Sequence, residues 1–297
     1  MATPRVVIVH RATEYEELLD RHGTRGQVEF FLRSRGQTLA ELDERHDRTG
    51  AALQTVSAAI DLDWRRARVE RADLPSFAFA PEDIVVAVGQ DGLVANLAKY
   101  IAGQPVIGID PTPGANAGVL VPHAPEAAAT LLPRVAAGQA TTLERTMVAV
   151  TADDGQSLVA LNEVFVGQAG HQSARYEIVA GGVRERQSSS GVIVGTGTGA
   201  TGWCRSLQRI QAPNLVLPAP ADPALTWFVR EPWPSPMTGA DLTAGLLADG
   251  AALELRVESD GLVAFGDGIE NDRIHLTWGQ RATVCRAPRV LRTVTAR

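Results

Sequence analysis

The chain has 297 residues, of which 45% are hydrophobic and 21% are charged, the balance of a soluble globular protein with a large core. Its net charge of −6 gives no support to nucleic-acid binding, which usually requires a basic surface. The two cysteines, Cys204 and Cys285, lack CxxC spacing, which argues against a disulfide framework or structural zinc and fits a reducing cytoplasm. No apolar run approaches the ~20 residues of a membrane span. We therefore expect a cytoplasmic protein of two domains, or of one large domain.

The first half of the chain alternates short apolar runs with helical patterns. Buried strands are predicted at residues 6–9, 84–88 and 106–109, because these runs are rich in β-branched residues. Helices are predicted at residues 15–21, 24–35, 39–60, 92–101 and 126–137. This alternation is typical of a parallel, doubly wound sheet and predicts an α/β domain over residues 1–137.

The second half of the chain is rich in short β-like runs. Strands are predicted at residues 147–151, 158–166, 174–179, 191–194, 253–257, 262–265, 274–277 and 282–285. Residues 212–237 contain seven of the 17 prolines and are expected to form an extended surface connection without regular structure. These patterns predict a mainly-β domain over residues 138–285. The arginine-rich segment 286–297 either packs back on the first domain or contributes to assembly.

A loop rich in glycine and threonine follows the strand predicted at 191–194 and leads into a helix predicted at 198–207. Its sequence is Gly195-Thr196-Gly197-Thr198-Gly199-Ala200-Thr201-Gly202-Trp203. Glycine tolerates positive φ and lets a backbone approach a ligand, and a helix N-terminus offers N–H groups to an anion. The loop does not match the Walker A pattern GxxxxGK[ST]. It is either a phosphate- or nucleotide-binding loop or an ordinary glycine-rich turn.

Two other polar segments interrupt or follow apolar runs. Gly89-Gln90-Asp91-Gly92 follows the strand at 84–88, at the edge where open α/β sheets bind ligands. Asp91 either points into such a cleft or caps the next helix. Asn162-Glu163 interrupts an apolar run, where a bare carboxylate facing the core is costly. This pair either binds sugar hydroxyls or turns to water at the end of a strand.

In this order and spacing, the three segments resemble the signature motifs of NAD kinases. In that family the first motif reads GGDG followed by Thr, the second NE, and the third TPTGSTAY. The resemblance covers most of the chain and is closest to the mitochondrial-type branch, which also occurs in bacteria. The further similar segments are residues 11–16, 42–46, 160–167, 189–191 and 230–232.

The resemblance implies a two-domain kinase, with an α/β N-terminal domain, a β-rich C-terminal domain and an active site between them. Family members move the γ-phosphate of ATP to the 2′-hydroxyl of the adenosine ribose of NAD(H), giving NADP(H). Mg²⁺ takes part through the phosphates, without direct protein ligands. Family members form homo-oligomers, commonly dimers or tetramers, of which a dimer is expected here, and neither a nucleic acid nor a membrane is implied as a partner.

The resemblance also assigns roles residue by residue. Asp91 corresponds to the catalytic residue that orients or deprotonates the attacking hydroxyl. The residues assigned to ATP and its phosphates are Gly89, Gly92, Thr196, Gly197, Thr198 and Gly199. The residues assigned to NAD are Asn162, Glu163, Ser190, Thr201, Gly202, Trp203 and Ser206. Trp203 replaces the usual Tyr and either stacks on a ring of the ligand or belongs to the core.

Two residues in the first motif differ from the family pattern. Gln90 replaces the second Gly, which costs ~1 kcal/mol or more if the backbone there has positive φ. Leu93 replaces the Thr and removes a hydroxyl that could donate to phosphate.

Three hypotheses for the function follow: an ATP-dependent NAD kinase, a weak or inactive homologue that binds dinucleotide as a sensor, and a kinase with another nucleoside or sugar acceptor. ATP and polyphosphate both stay open as the donor.

Overall fold

The computed structural model describes residues 3–114 and 118–295. The chain forms two compact units, Met1–Leu143 together with Arg292–Arg297, and Glu144–Leu291. The boundaries expected from the sequence, at residues 137 and 285, lie a few residues before these divisions. Within the C-terminal segment 286–297, the residues from Arg292 onward belong to the first unit, and residues 296 and 297 lie outside the described part of the chain.

The first unit combines several helices with a parallel sheet. Its helices are α1 (Glu14–His22), α2 (Arg25–Arg33), α3 (Leu39–Ala58), α4 (Asp91–Ala98) and α5 (Ala128–Ala136). Its strands are β1 (Arg5–His10), β2 (Arg65–Glu70), β3 (Ile84–Val88) and β4 (Pro105–Ile109), in the order β2-β1-β3-β4. All three pairings are parallel, so the predicted α/β architecture is confirmed.

The core of the first unit follows from the runs of β-branched residues. The side chains of Val6, Ile8 and Val86 are buried under α3 and α5, which contribute Val56 and Leu132 to the same cluster. Strands covered on both faces carry continuous apolar sequence, and the strands of this sheet other than β2 do so. The exception is β2, whose sequence Arg-Arg-Ala-Arg-Val-Glu gave no strand signal because it is a largely exposed edge strand.

The second unit is a sandwich of two sheets with one helix, α6 (Trp203–Gln211). The remaining strands are β5 (Thr142–Ala152), β6 (Ser157–Ala160), β7 (Glu163–Gly167), β8 (Ala174–Ala180), β9 (Val183–Ser189), β10 (Gly191–Gly195), β11 (Leu225–Arg230), β12 (Ala244–Leu247), β13 (Ala252–Val257), β14 (Gly261–Gly266), β15 (Ile269–Thr277) and β16 (Arg281–Val294). One sheet has the order β12-β11-β10-β7-β14-β15, and the other contains β16, β13, β8 and β9 with the β5–β6 hairpin.

The core of the second unit lies between these sheets. Val164 and Val192 from the six-stranded sheet share one cluster with Tyr176, Leu255 and Val284 from the other sheet. On the far face of the six-stranded sheet, α6 packs Cys204 and Leu207 of its apolar stripe against the sheet residues Phe165, Ile193 and Phe228. The mainly-β character expected for this half of the chain is therefore confirmed.

Three details differ from the sequence expectations. The run 158–166 is two strands, β6 and β7, because the chain bends at Leu161 and Asn162. Residues 212–237 are not an extended connection throughout, since they include the buried strand β11. The prolines flank this strand and none lies within it, so its ladder to β10 and β12 is intact. The helix expected at 198–207 is a short 3₁₀ turn, Gly199–Thr201, followed by α6.

Candidate functional site

The first candidate element is the loop Gly89-Gln90-Asp91-Gly92, which joins β3 to α4 in the first unit. Asp91 is the first residue of α4 and is half-buried. Its Oδ1 accepts the N–H of Leu120 at 2.8 Å and its Oδ2 accepts the N–H of Val119 at 3.1 Å. The carboxylate therefore holds a neighbouring loop as well as facing the carboxyl edge of the sheet. Each oxygen keeps a further lone pair with which it can accept another donor.

The backbone of this loop carries no strain at the position of Gln90. Gln90 is the N-cap of α4, with φ −104° and ψ 168°, so the expected cost of a left-handed conformation does not arise. Leu93 is 4% exposed and packs against Gly89, where a Cβ would approach its Cδ2 to 3.0 Å. The side chain at position 93 is therefore buried against Gly89. The strain expected at Gln90 is absent, whereas an effect of Gln90 and Leu93 on donor binding stays a prediction.

Gly92 lies in the first turn of α4 and is exposed. A Cβ built at this position would have no described atom within 4 Å. Packing within the described chain therefore does not require glycine here. The missing side chain leaves the first turn of the helix open, where unpaired N–H groups and the helix dipole favour an anion.

The second candidate element is the pair Asn162-Glu163, where β7 begins. Asn162 lies in the bend between β6 and β7, and both residues are half-buried. Burial, together with the negative charge of Asp267, raises the pKa of Glu163 to about 7. This carboxyl group is therefore able to donate or to accept a hydrogen bond near neutral pH. The pair lies at the start of a strand without turning fully to water, and its binding of sugar hydroxyls stays a prediction.

The third element, the loop Gly195–Gly202, packs directly on the second. The N–H of Thr196 donates to the carbonyl of Asn162 at 2.9 Å, and the hydroxyl of Thr196 donates to the carbonyl of Leu161 at 2.6 Å. That hydroxyl also accepts the N–H groups of Thr198 and Gly199, at 3.1 and 3.3 Å. The second and third sequence motifs are thus brought together in space, with Thr196 as the link between them.

The glycines of this loop are required by close packing rather than by positive φ. A Cβ on Gly197 would lie 2.0 Å from the carbonyl oxygen of Ala219, and one on Gly199 would lie 2.3 Å from that of Asn162. Neither glycine has a positive φ. The N–H groups of Thr198 and Gly199 are already bonded within the loop. Phosphate binding by this loop stays a prediction, and the N–H groups of Thr198 and Gly199 have partners within the protein.

The hydroxyl of Thr198 differs from that of Thr196 in its hydrogen bonding. Its side chain is 2% exposed, and its hydroxyl forms no hydrogen bond with any part of the chain that the structure describes. Buried polar groups are almost always hydrogen-bonded, so this hydroxyl is available to a water molecule or a ligand. Thr201 differs, because its hydroxyl donates to the carbonyl of Thr198 at 3.0 Å.

The aromatic ring of Trp203 has partners within the protein. It is stacked on Phe165, with ring centroids 6.1 Å apart and planes inclined by 16°, and the guanidinium of Arg230 lies 5.4 Å from its centroid. These side chains line a pocket of about 190 Å³ on the six-stranded sheet. Trp203 thus packs on Phe165 within the protein, and its stacking on a ring of the ligand stays a prediction.

The remaining residues assigned to the ligand by resemblance are exposed. Gly202 and Ser206 lie at the start of α6, and Ser190 lies between β9 and β10, where its N–H donates to the carbonyl of Arg230 at 2.9 Å. Burial raises the pKa of the neighbouring Cys204 thiol to about 12, which leaves it protonated and inert. Cys204 therefore acts as a small core residue beneath the loop.

One residue near the pair was not found from the sequence. Asp267 accepts the N–H of Asn162 at 2.7 Å and that of Leu161 at 2.9 Å, and its own N–H donates to the carbonyl of Glu163 at 3.0 Å. It belongs to the tight turn between β14 and β15, where Asp267 and Gly268 have φ values of 55° and 70°. An Asp-Gly dipeptide between two apolar runs indicates such a turn, and this signal was available.

Among the described residues, no group of three or more His, Cys, Asp and Glu side chains is arranged to hold a metal ion. No helix in the described ranges is both long and apolar enough to cross a membrane.

The fold is similar to that of a known kinase. No protein-family model and no curated protein sequence matches the chain. The crystal structure of yeast NADH kinase complexed with NADH aligns with a TM-score of 0.63 at 15% sequence identity, covering 99% of this chain and 84% of that one. The chain therefore has the NADH kinase fold, with an α/β N-terminal part and a strand-rich C-terminal part.

Proposed function

We propose that this chain is an NAD kinase-like phosphotransferase that moves the γ-phosphate of ATP to the 2′-hydroxyl of the adenosine ribose of NAD(H), giving NADP(H). The yeast protein that shares its fold is an NADH kinase whose structure contains NADH. Fold alone does not define an activity, so the proposal rests on the residues of the candidate site. The sequence motifs also support a place in the mitochondrial-type branch and a homodimeric assembly.

The observation that carries the proposal is the packing of Asn162-Glu163 against the Gly195–Gly202 loop. The loop fixes the backbone of Asn162 through Thr196 and leaves the Thr198 hydroxyl buried without a partner. Glu163 is half-buried, and its carboxyl group has a pKa of about 7. A ligand rich in hydroxyls and ring nitrogens satisfies such groups, and the adenosine part of NAD is a ligand of this kind.

In this proposal the first unit supplies the chemistry of transfer. Asp91 accepts or orients the proton of the attacking 2′-hydroxyl, a contribution usually worth ~10²–10⁴-fold in rate. The open N-terminal turn of α4 at Gly92 binds phosphate oxygens through backbone N–H groups. Mg²⁺ enters as part of the MgATP substrate and neutralises the charge of the phosphates. The relaxed backbone at Gln90 supports an active enzyme over an inactive homologue.

The direct test is NADP formation by the purified protein with ATP and Mg²⁺, with NAD and NADH as alternative acceptors. The product is quantified with an NADP-specific dehydrogenase, and polyphosphate replaces ATP in a parallel series. We expect NADP or NADPH to accumulate over many turnovers. Saturable NAD binding in calorimetry without any turnover would instead identify a dinucleotide-binding protein or a kinase with another acceptor.

A further inference from the structure

We propose that Asp267 is the positioning residue of the Asn162-Glu163 pair, holding its backbone in place and setting the charge of Glu163 for ligand binding. This inference rests on the proposed function for the identity of the ligand. The geometry that carries it lies wholly within the second unit.

The contacts of Asp267 span three consecutive residues of the bend. Its two carboxylate oxygens accept the N–H groups of Leu161 and Asn162, one each, and its N–H donates to the carbonyl of Glu163. Carboxylate acceptors form strong, charge-assisted hydrogen bonds. A side chain with one acceptor oxygen, such as Asn, satisfies only one of the two amides. The pattern therefore requires a carboxylate at this position.

The bend is held from both sides. The carbonyl of Asn162 accepts the N–H of Thr196 from the glycine-threonine loop, while its N–H is bound by Asp267 from the β14–β15 turn. Gly266 brings that turn close, because a Cβ there would lie 2.6 Å from the Cβ of Ala160. Asn162 and Glu163 thus project from a backbone whose position is fixed by two separate segments of the chain.

The turn itself favours an aspartate. Asp267 has a positive φ of 55° and is followed by Gly268 at 70°, the pattern of a type I′ hairpin turn. Aspartate and asparagine adopt this conformation at lower cost than other residues that carry a side chain. The positive φ therefore favours Asp or Asn at position 267. The two N–H donors of Leu161 and Asn162 favour Asp, which has two carboxylate oxygens.

The charge of Asp267 acts on Glu163 in addition to these bonds. Two groups act electrostatically with the Glu163 carboxyl, namely the Asp267 carboxylate and the Cys204 thiol of α6. Burial first, and the charge of Asp267 second, raise the pKa of Glu163 to about 7. Because the thiol stays protonated, Asp267 is the charged group whose replacement tests this electrostatic effect.

The chain offers a matched control for this residue. Glu185 also accepts two consecutive backbone N–H groups with its two carboxylate oxygens, those of Asp241 at 3.0 Å and Leu242 at 2.9 Å. It belongs to the same unit but forms no hydrogen bond with the Asn162 bend. Glu185→Gln therefore removes an equivalent clamp, and its effects report general destabilisation alone.

The first measurement needs no ligand. The titration of the Glu163 carboxyl is followed by ¹³C NMR, assigned by its disappearance in Glu163→Gln, in the wild type, Asp267→Asn and Glu185→Gln. We expect a midpoint near pH 7 in the wild type. Asp267→Asn should lower this midpoint by roughly one pH unit, and Glu185→Gln should leave it unchanged. An unchanged midpoint in folded Asp267→Asn would overturn the electrostatic part of the inference.

The second measurement is the affinity for NAD by calorimetry in the same proteins and in Asp267→Glu. Asp267→Glu keeps the charge but displaces the carboxylate, so the affinity should fall roughly tenfold, about 1.4 kcal/mol, while the Glu163 midpoint stays near its wild-type value. Asp267→Glu also tests the positioning role if Asp267→Asn does not fold. Wild-type affinity in both Asp267 variants would overturn the positioning role. Failure of the wild type to bind NAD would reject the proposed function but leave the NMR test of Asp267 intact.

Discussion

The two glycine-containing loops of the candidate site have similar compositions and opposite physical roles. In the loop at residues 89–92, Gly92 is exposed and packing within the described chain does not require it to lack a side chain. In the loop at residues 195–202, Gly197 and Gly199 are pressed against backbone carbonyls, and the N–H group of Gly199 is bonded internally. The first loop is therefore not packed against other parts of the described chain at Gly92, whereas the second is closely packed at Gly197 and Gly199. Glycine in a motif does not by itself indicate which role applies.

The largest effect is expected from replacing Asp91 in the loop at residues 89–92, where catalysis should be lost while the fold is kept. Asp91→Asn should lower kcat for NADP formation ~10²–10⁴-fold, because the carboxylate that accepts the hydroxyl proton is lost. One amide contact to the Val119–Leu120 loop is retained by the remaining carbonyl oxygen. The control is Asp110→Asn, since Asp110 accepts the N–H of Thr112 in the same unit without a proposed catalytic role. Equal rates in both variants would reject Asp91 as the catalytic residue.

The comparison itself is tested by placing one methyl group in each loop. Gly197→Ala forces a Cβ to within 2.0 Å of a carbonyl oxygen and should lower the free energy of unfolding by about 3 kcal/mol. Gly92→Ala should leave this free energy unchanged or raise it by up to about 1 kcal/mol, because alanine is the better helix former. Gly92→Ala should nevertheless raise the KM for ATP. Chemical denaturation of both variants measures these free energies of unfolding. Equal destabilisation would show that the two loops are packed alike.

The pair Asn162-Glu163 also predicts a pH dependence of stability. The pKa of Glu163 is about 7 in the folded protein, against an ordinary value of 4.5. Between these values the folded state binds more protons than the unfolded state, so the Glu163 contribution to stability falls as pH rises from about 4.5 to about 7 and is constant above that range. Glu163→Gln should flatten this part of the profile of unfolding free energy against pH. A slope that persists unchanged in that variant would assign it to other groups.

The smallest effect is expected at Gln90. Gln90→Gly should change the free energy of unfolding by less than about 0.5 kcal/mol, since the N-cap position of α4 is exposed, unstrained and without a side-chain cap. The turnover rate should also stay within about twofold of the wild type. Leu93→Thr is the contrasting variant, because it opens a space beneath Gly89 and should destabilise the protein without raising the rate. A large gain in rate from either change would restore the view that this loop is impaired.

Much of the fold could be predicted from the sequence because local patterns determine it. The β-branched runs at residues 6–9 and 84–88 form central strands as expected, since buried parallel strands need continuous apolar sequence. The edge strand β2 was missed because its exposed arginines carry no apolar period, and β11 was missed because flanking prolines dominated the local signal. In both cases tertiary pairing, rather than local preference, decides the structure.

The candidate site could be predicted as a set of residues but not as an arrangement. The order of the motifs indicated Asp91, Glu163 and Thr198. It did not indicate which threonine hydroxyl of the loop forms hydrogen bonds within the protein. That distinction depends on the carbonyl of Leu161, which accepts the bond from Thr196 and leaves Thr198 unpartnered. Asp267 was missed for a related reason. Its role depends on two amides more than a hundred positions earlier in the chain, and no local pattern records such a contact.

The return of β16 to the first unit has a consequence for the order of events during synthesis. Arg292 and Thr293 pair with Pro105 and Val106 of β4, and the carbonyl of Val294 lies 3.0 Å from Nε2 of His123. These partners leave the ribosome long before residues 292–294 exist. The edge of β4 therefore stays unpaired while the whole second unit is translated, and the first unit acquires its last strand only when the strand finishes emerging. During that interval the nascent chain exposes an unpaired strand edge, a feature that favours non-native pairing with other chains.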